Sequence, residues 1–372
     1  MIIGVPKEVK IRESRVACVP GGVEQFVKNG HKVLIEAGAG LGAGIADADY
    51  VKVGASIESV ERIWSESEMI IKVKEPIEEE YARMQEGQIL YTFLHLAAVP
   101  KLTHELLERK VIGLAYETIE QVDRSLPLLK PMSEVAGKMA VQVGIRCLEK
   151  QFGGKGLLLG GVPGVRRGKV TIIGGGYVGI NAAKVAIGMG ALVTVVDINQ
   201  SRCAYLDDVF GNQITTLMSN PENIARCVEE SDLVIGAVLV TGAKAPTLVT
   251  REMVKRMEAG SAIVDVAIDQ GGSVETIRPT THDDPIYCED GVIHYGVTNM
   301  PGSVSKTSTY ALTNVTTPYA LQIANLGIRE ALQRFPELEL GINTYGGSLT
   351  CKAVAEALEL PYDASCPWKK GR

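Results

Sequence analysis

No cysteine in this chain belongs to a CxxC pair. The seven, at positions 18, 147, 203, 227, 288, 351 and 366, are odd in number and scattered. They offer neither a disulfide framework nor zinc-ligand spacing, and fit free thiols in a reducing compartment. Also missing is any apolar run near the roughly 18 residues that cross a bilayer. The start, Met1 to Lys7, reads as a strand entering a charged loop, without the charged, apolar and cleavage regions of a secretory leader. There is no cationic excess: 38 Lys and Arg stand against 44 Asp and Glu, a net charge of −6, which argues against nucleic acid or an anionic membrane as the main partner. No internal repeat or low-complexity tract is evident. A cytoplasmic protein with no membrane association is the expectation.

What the chain has is length and glycine. Its 372 residues are long for one core and comfortable for two, and 40 glycines without a collagen-like period suit many tight βα turns. The most informative stretch is Lys169 to Gly179. A β-branched apolar run leads into Gly174-x-Gly176-x-x-Gly179, a small-residue helix pattern follows, and a second apolar run from Leu192 ends in Asp197. That is the strand, turn, helix, strand and acid of a dinucleotide-binding unit. Gly174 permits the turn, Gly176 lets the backbone approach a pyrophosphate, and Gly179 lets helix and strand pack closely. The helix N-terminus offers oriented N–H groups to phosphate. Asp197 would accept ribose hydroxyls and repel a 2′-phosphate. Arg202, five residues on, could tolerate one, but Asp197 holds the ribose position directly and NAD is expected.

From Lys169 onward strand signals recur at 169–173, 191–197, 214–218, 232–238, 261–267 and 292–297, with helical patterns between, as in Pro221 to Glu230. Six such strands fit two βαβαβ halves. The first 120 residues alternate as well, with strands near 2–5, 32–37, 69–73, 89–93 and 111–116 and helices at 20–29, 57–66 and 100–109. A crossing at 121–131 and a helix over 133–151 follow. Thr317 to Arg334 reads as an amphipathic helix best placed back on the first domain. The expected fold is α/β: two doubly wound Rossmann-like domains with an active-site cleft between them. A discontinuous catalytic domain (1–130 and 306–372) would hold an inserted dinucleotide domain (131–305).

Chemistry-bearing residues gather at the ends of expected strands, where α/β sheets place ligand contacts. Arg15 could hold a carboxylate bidentately, or be a surface arginine in a charged loop. Lys74 could polarise a carbonyl, or be a solvated edge lysine. His95, in apolar company, is either a satisfied core histidine or a general acid/base. His31 and His104 read as surface residues. His282 with Asp283 and Asp284 lacks ligand spacing, so no metal is expected. Asp269 would project past a strand on the rim of the Gly174 loop, with Asp265 structural. Thr298-Asn299-Met300-Pro301-Gly302 could serve the nicotinamide side.

Taken together these motifs resemble the bacterial alanine dehydrogenases, which are similar to the NAD-binding transhydrogenase subunit. The resemblance spans essentially the whole chain. It rests on Ile3 to Glu8, Glu13 to Ala17, Lys72 to Pro76, Thr92 to Ala97, Met132 to Gly137, Gly174 to Gly179, Val264 to Asp269 and Thr298 to Gly302. It implies reversible, NAD-dependent oxidative deamination of L-alanine to pyruvate and ammonium, in a homohexamer. By the same resemblance Arg15 grips the substrate carboxylate, Lys74 contacts and polarises the substrate, His95 is the acid/base and Asp269 assists it. Ser133, Asp197, Arg202, Ser219, Val238, Leu239, Val266, Ala267, Ile268, Asp269, Arg278, Val297, Thr298, Asn299 and Met300 fall where such enzymes contact NAD. Two alternatives stay open: a related dehydrogenase acting on another amino acid, and a non-catalytic NAD-binding subunit of transhydrogenase type.

Overall fold

The computed structural model of the chain describes residues 1–238, 245–365 and 368. They form two units, Met1–Met132 with Gly302–Arg372, and Ser133–Pro301. In chain order the strands are β1 (Ile2–Val5), β2 (Lys32–Glu36), β3 (Ser56–Glu58), β4 (Met69–Ile71), β5 (Ile89–Thr92) and β6 (Ile112–Ala115). The second unit supplies β7 (Lys169–Ile173), β8 (Leu192–Asp197), β9 (Ile214–Met218), β10 (Leu233–Gly236), β11 (Ala262–Asp265), β12 (Ile286–Glu289) and β13 (Val292–Tyr295). The chain then returns to the first unit with β14 (Ile342–Tyr345) and β15 (Ser348–Leu349).

The first sheet runs β15-β14-β6-β5-β4-β1-β2-β3, parallel from β6 to β3 and antiparallel at β14 and β15. The second runs β12-β13-β11-β10-β7-β8-β9, parallel except for β12. Each has the doubly wound order, reversing between β1 and β4 in one and between β7 and β10 in the other. At such a reversal the loops leaving neighbouring strands part, and a crevice opens beyond the carboxyl ends. The central strands β4, β5, β6, β10 and β11 are buried along their whole length, as parallel strands covered on both faces must be.

Several boundaries depart from the sequence expectation, each for a local reason. The helix expected over 57–66 starts at Val60, because Ser56–Glu58 pairs in parallel with β2 and Ser59 caps the helix through the Arg62 N–H. The strand expected to reach residue 267 stops at Asp265, whose carboxylate accepts the Ala267 N–H at 2.9 Å and turns the chain into the 3₁₀ segment Val266–Gln270. The helix expected over 317–334 is two helices, Ser305–Leu326 and Ile328–Arg334, broken at Gly327 with φ 74°. The helix expected over 133–151 runs from Lys130 to Cys147. Strands β3, β12, β14 and β15, two to four residues long, were not anticipated. No helix among the described residues is long and apolar enough to cross a membrane.

His294 lies wholly buried in β13, its Nδ1 3.0 Å from the Val292 carbonyl and its Nε2 2.7 Å from Thr276 Oγ1. Burial pushes its pKa down, against the opposing pull of that carbonyl. An unfolded chain takes up a proton here as the pH falls through about 6.5, and the folded one resists. Unfolded protein then binds more protons, and stability drops. We expect the melting temperature to fall between pH 7.5 and 5.5, and to fall less steeply in His294→Asn. Parallel slopes in the two proteins would remove His294 from the acid response.

Candidate functional site

In the second unit the glycine turn behaves as its three positions require. Gly174 has φ 103°, a left-handed conformation that a side chain resists, and a Cβ on it would lie 2.7 Å from the Ala237 carbonyl oxygen. A Cβ on Gly179 would overlap the Gly174 carbonyl oxygen, so only glycine lets the helix Tyr177–Gly188 start this close to the turn. Gly176 differs: a Cβ there would meet nothing within 4 Å. The open space lies where a phosphate would approach, and no side chain caps the helix at Gly176. These three positions fit a dinucleotide.

Asp197 closes β8 beside the turn. Its Oδ2 accepts the Gly175 N–H at 2.6 Å and its Oδ1 the Asn199 N–H at 2.8 Å. Arg202 donates to the carbonyls of Gly175 and Gly176, and its guanidinium lies 4.8 Å over the Tyr205 ring. Acid and arginine therefore brace opposite polar groups of one turn. Ser219 follows β9 and donates its N–H to the Asp197 carbonyl at 2.8 Å. Val238 follows β10, Val266 to Asp269 follow β11, and Val297 to Met300 follow β13. Because these strands are parallel, all of those positions share the carboxyl rim. Leu239 lies outside the described residues. Asp265 is buried, its carboxylate bound to the N–H groups of Ala267 and Ser273, and burial pushes its pKa up. It holds the 266–273 loop, with exposed Asp269 on it. Asn299 adopts a left-handed φ of 61°, and Arg278 lies 4.1 Å over the Tyr287 ring. Ser133 is half-buried in the helix Lys130–Cys147.

In the first unit Arg15, Lys74 and His95 follow β1, β4 and β5, three adjacent parallel strands. Arg15 is no surface arginine. It is 2% exposed, and its Nε and Nη2 grip Glu13 at 2.7 and 2.5 Å, with Nη1 3.1 Å from Met132 Sδ. The bidentate partner in the fold is thus Glu13, two residues earlier in the same loop. Glu8 spans the β1–β4 reversal: its carboxylate accepts the Val73 N–H at 2.6 Å and the Lys74 N–H at 3.4 Å. Buried Glu75 pairs with Lys10. Burial alone would raise its pKa, but the charges of Lys74, Lys10 and His95 hold it below the usual carboxylate value. One carboxylate therefore senses two of the three expected site residues at once.

His95 is not a core residue: its side chain is 40% exposed, with its ring stacked on Phe93 at 5.7 Å and 1°. It holds a left-handed backbone, φ 49° and ψ 37°. Glu117, just past β6, accepts the His95 N–H at 2.6 Å and the Leu94 N–H at 3.1 Å. Sequence reasoning missed Glu117; its signal was a carboxylate two residues beyond a strand end, as His95 lies three beyond the neighbouring one. His31 bridges the N-terminal amine and Asn325. No cluster of three metal-ligating side chains occurs among the described residues.

The two halves of the chain match the family descriptions "Alanine dehydrogenase/PNT, N-terminal domain" over residues 4–136 and "Alanine dehydrogenase/PNT, C-terminal domain" over 140–352. An alanine dehydrogenase of Methanococcus maripaludis is 61% identical over 364 residues, covering 97% of this chain and 98% of that protein. One of Bacillus subtilis is 59% identical over 364 residues, 97% and 96% of the two chains. A solved L-alanine dehydrogenase superposes with TM-score 0.94 at 51% identity, over 96% of this chain and 99% of the other.

The glycine geometry separates two roles by substitution. Gly179→Ala should cost about 2 kcal/mol of stability through overpacking and also weaken NADH binding. Gly176→Ala should leave the melting temperature unchanged yet weaken NADH at least tenfold in a fluorescence titration. Wild-type affinity in Gly176→Ala would mean that no phosphate approaches that position.

Proposed function

The chain belongs to the alanine dehydrogenase/PNT family, and from that premise we propose that it interconverts L-alanine and pyruvate plus ammonium with NAD. The observation that supports this most directly is the buried guanidinium of Arg15 with Lys74 and His95, at the ends of three adjacent strands. A guanidinium, a primary amine and an imidazole answer the three demands of the substrate: a carboxylate to hold, a carbonyl oxygen to polarise and a proton to move.

Arg15 binds the alanine carboxylate, and its pair with Glu13 sets the plane of the fork. Lys74 points the substrate's reacting carbon and stabilises oxygen as it gains negative character. When bound, NAD supplies the acceptor for the electron pair leaving the alanine Cα. Gly174, Gly176 and Gly179 take its phosphates and Asp197 its ribose. Ser133, Arg202, Ser219, Val238, Val266 to Asp269, Arg278 and Val297 to Met300 line the remainder. The resulting iminium carbon takes up water, and His95 removes the water's proton as the C–O bond forms. The same imidazole returns that proton to the nitrogen, the C–N bond breaks as the hydroxyl gives up its own proton to form the carbonyl, and the ammonia released takes up a proton to leave as ammonium. Asp269 holds the cationic nitrogen or the attacking water. We take the working enzyme to be a cytoplasmic homohexamer, a reading supported by the family resemblance and by six free thiols among the described residues.

The test is absorbance at the NADH band with a panel of amino acids. Turnover with alanine alone is expected; turnover only with a second protein present would favour a hydride-passing subunit. His95→Ala should lose kcat by at least about a hundredfold, the scale of general acid–base catalysis, and near-normal turnover would take His95 out of the reaction. Asp197→Ala should raise the KM for NAD far more than that for alanine; equal effects would make Asp197 purely structural.

A further inference from the structure

We propose that Glu117 is a positioning residue for His95: its carboxylate fixes the left-handed loop that carries the imidazole and selects which ring nitrogen faces substrate. The proposal rests on the reading that His95 moves the proton.

The placement follows from strand register. β5 and β6 run parallel with Thr92 beside Ala115, so the loops that continue them, Phe93 to His95 and Tyr116 to Glu117, leave the sheet side by side. Glu117 Oε1 then accepts two successive N–H groups, Leu94 at 3.1 Å and His95 at 2.6 Å, while Oε2 lies 3.2 Å from the Leu94 nitrogen. Those contacts hold His95 at φ 49°, a conformation that a residue with a side chain keeps only when its surroundings determine it. The ring is fixed on a second side by Phe93, parallel to within 1° at 5.7 Å. Phe93 is itself fixed edge-on by Tyr116, the residue before Glu117, at 5.1 Å and 80°. Backbone and ring stack are therefore both referred to one short segment after β6.

Glu117 also faces the imidazole, with its Oε1 3.8 Å from Nδ1. That is too long for a hydrogen bond and close enough for charge to act. A carboxylate on the Nδ1 side favours a proton on Nδ1, which leaves Nε2 as the nitrogen that takes and returns the substrate's proton. Backbone hold and ring polarity thus come from a single group, itself only 17% exposed at its side chain.

The experiment compares Glu117→Ala, Glu117→Gln, His95→Ala and the Glu117→Ala/His95→Ala double variant in alanine deamination, with NADH titration and thermal unfolding of each. Glu117→Ala should lower kcat by about tenfold to a hundredfold, the scale of a misplaced reacting group, with NADH affinity unchanged. Glu117→Gln keeps an acceptor oxygen for the backbone and should recover part of that loss. In the double variant, removing Glu117 should change kcat less than twofold beyond His95→Ala alone, because a group that acts through His95 has nothing left to position. A full multiplicative loss in the double variant would overturn the proposal. So would wild-type kcat in Glu117→Ala, or a loss that merely follows lowered melting temperature and weakened NADH in both Glu117 variants. If wild type does not deaminate alanine, or His95→Ala is unimpaired, it is the reading of the reaction that fails, whatever Glu117 does.

Discussion

Lys72 is the fixed point of the first unit. It follows β4 with no exposed surface, its Nζ 2.8 Å from Glu80 and 3.4 Å from Glu8, both carboxylates equally deep. Burial pushes Glu8 up and would push Lys72 down, but the two carboxylates outweigh burial and hold the ammonium's pKa above its ordinary value. Such a group has little to recommend it as a source of net stability, since desolvation consumes much of the attraction. Its effect is restraint: drawing any one partner away strands a charge in the interior, at a cost of about 3–5 kcal/mol. The loop after β1, the end of β4 and the short helix Glu78–Tyr81 are therefore bound to move together or not at all. The Glu8 carboxylate that completes this group also accepts the N–H groups of Val73 and Lys74. Lys74 thus hangs from this anchor through a residue 66 positions earlier in the chain.

What the amino-acid order disclosed was whatever repeats with strand period or bears a glycine constraint. Gly174 and Gly179 announce themselves because backbone geometry admits no other residue there. The strands β10 and β11 are visible because burial on both faces makes them nearly continuously apolar, and β7 and β8 because β-branched runs flank the glycine turn. Arg15, Lys74 and His95 could be noticed singly, as polar residues just past such runs. Their proximity could not, since it depends on the order of β1, β4 and β5. Glu117 was hidden for the same reason: its partners are backbone N–H groups 22 and 23 residues earlier, and no local pattern marks an acceptor for them. β3, β12 and β15 escaped because strands this short at a sheet edge carry no apolar repeat. Gly327 escaped because a helix pattern continues across it, and only its positive φ reveals the break.

The two sheets repeat one topology and furnish it in opposite ways. Both place six parallel strands in the same order, with an antiparallel addition beyond the sixth. Where the second sheet reverses, the crevice is lined by glycine and backbone N–H groups, which suit phosphate. Where the first reverses, the loops after β1 and β4 carry charged side chains instead: Arg15 paired with Glu13, Glu75 with Lys10, and Glu8 bound to the N–H groups of Val73 and Lys74. Fold alone would not distinguish these uses; the side chains at the strand ends do.

Asp197, the residue proposed to face the ribose, is also a strut of the glycine turn, through its 2.6 Å contact with the Gly175 N–H. A change of charge at this position therefore carries a second consequence. A basic residue that welcomed a 2′-phosphate would leave the Gly175 N–H without this acceptor, so the same mutation would loosen the turn proposed to hold the pyrophosphate. A lineage that moved toward the other nucleotide by that route would first need another brace for Gly175.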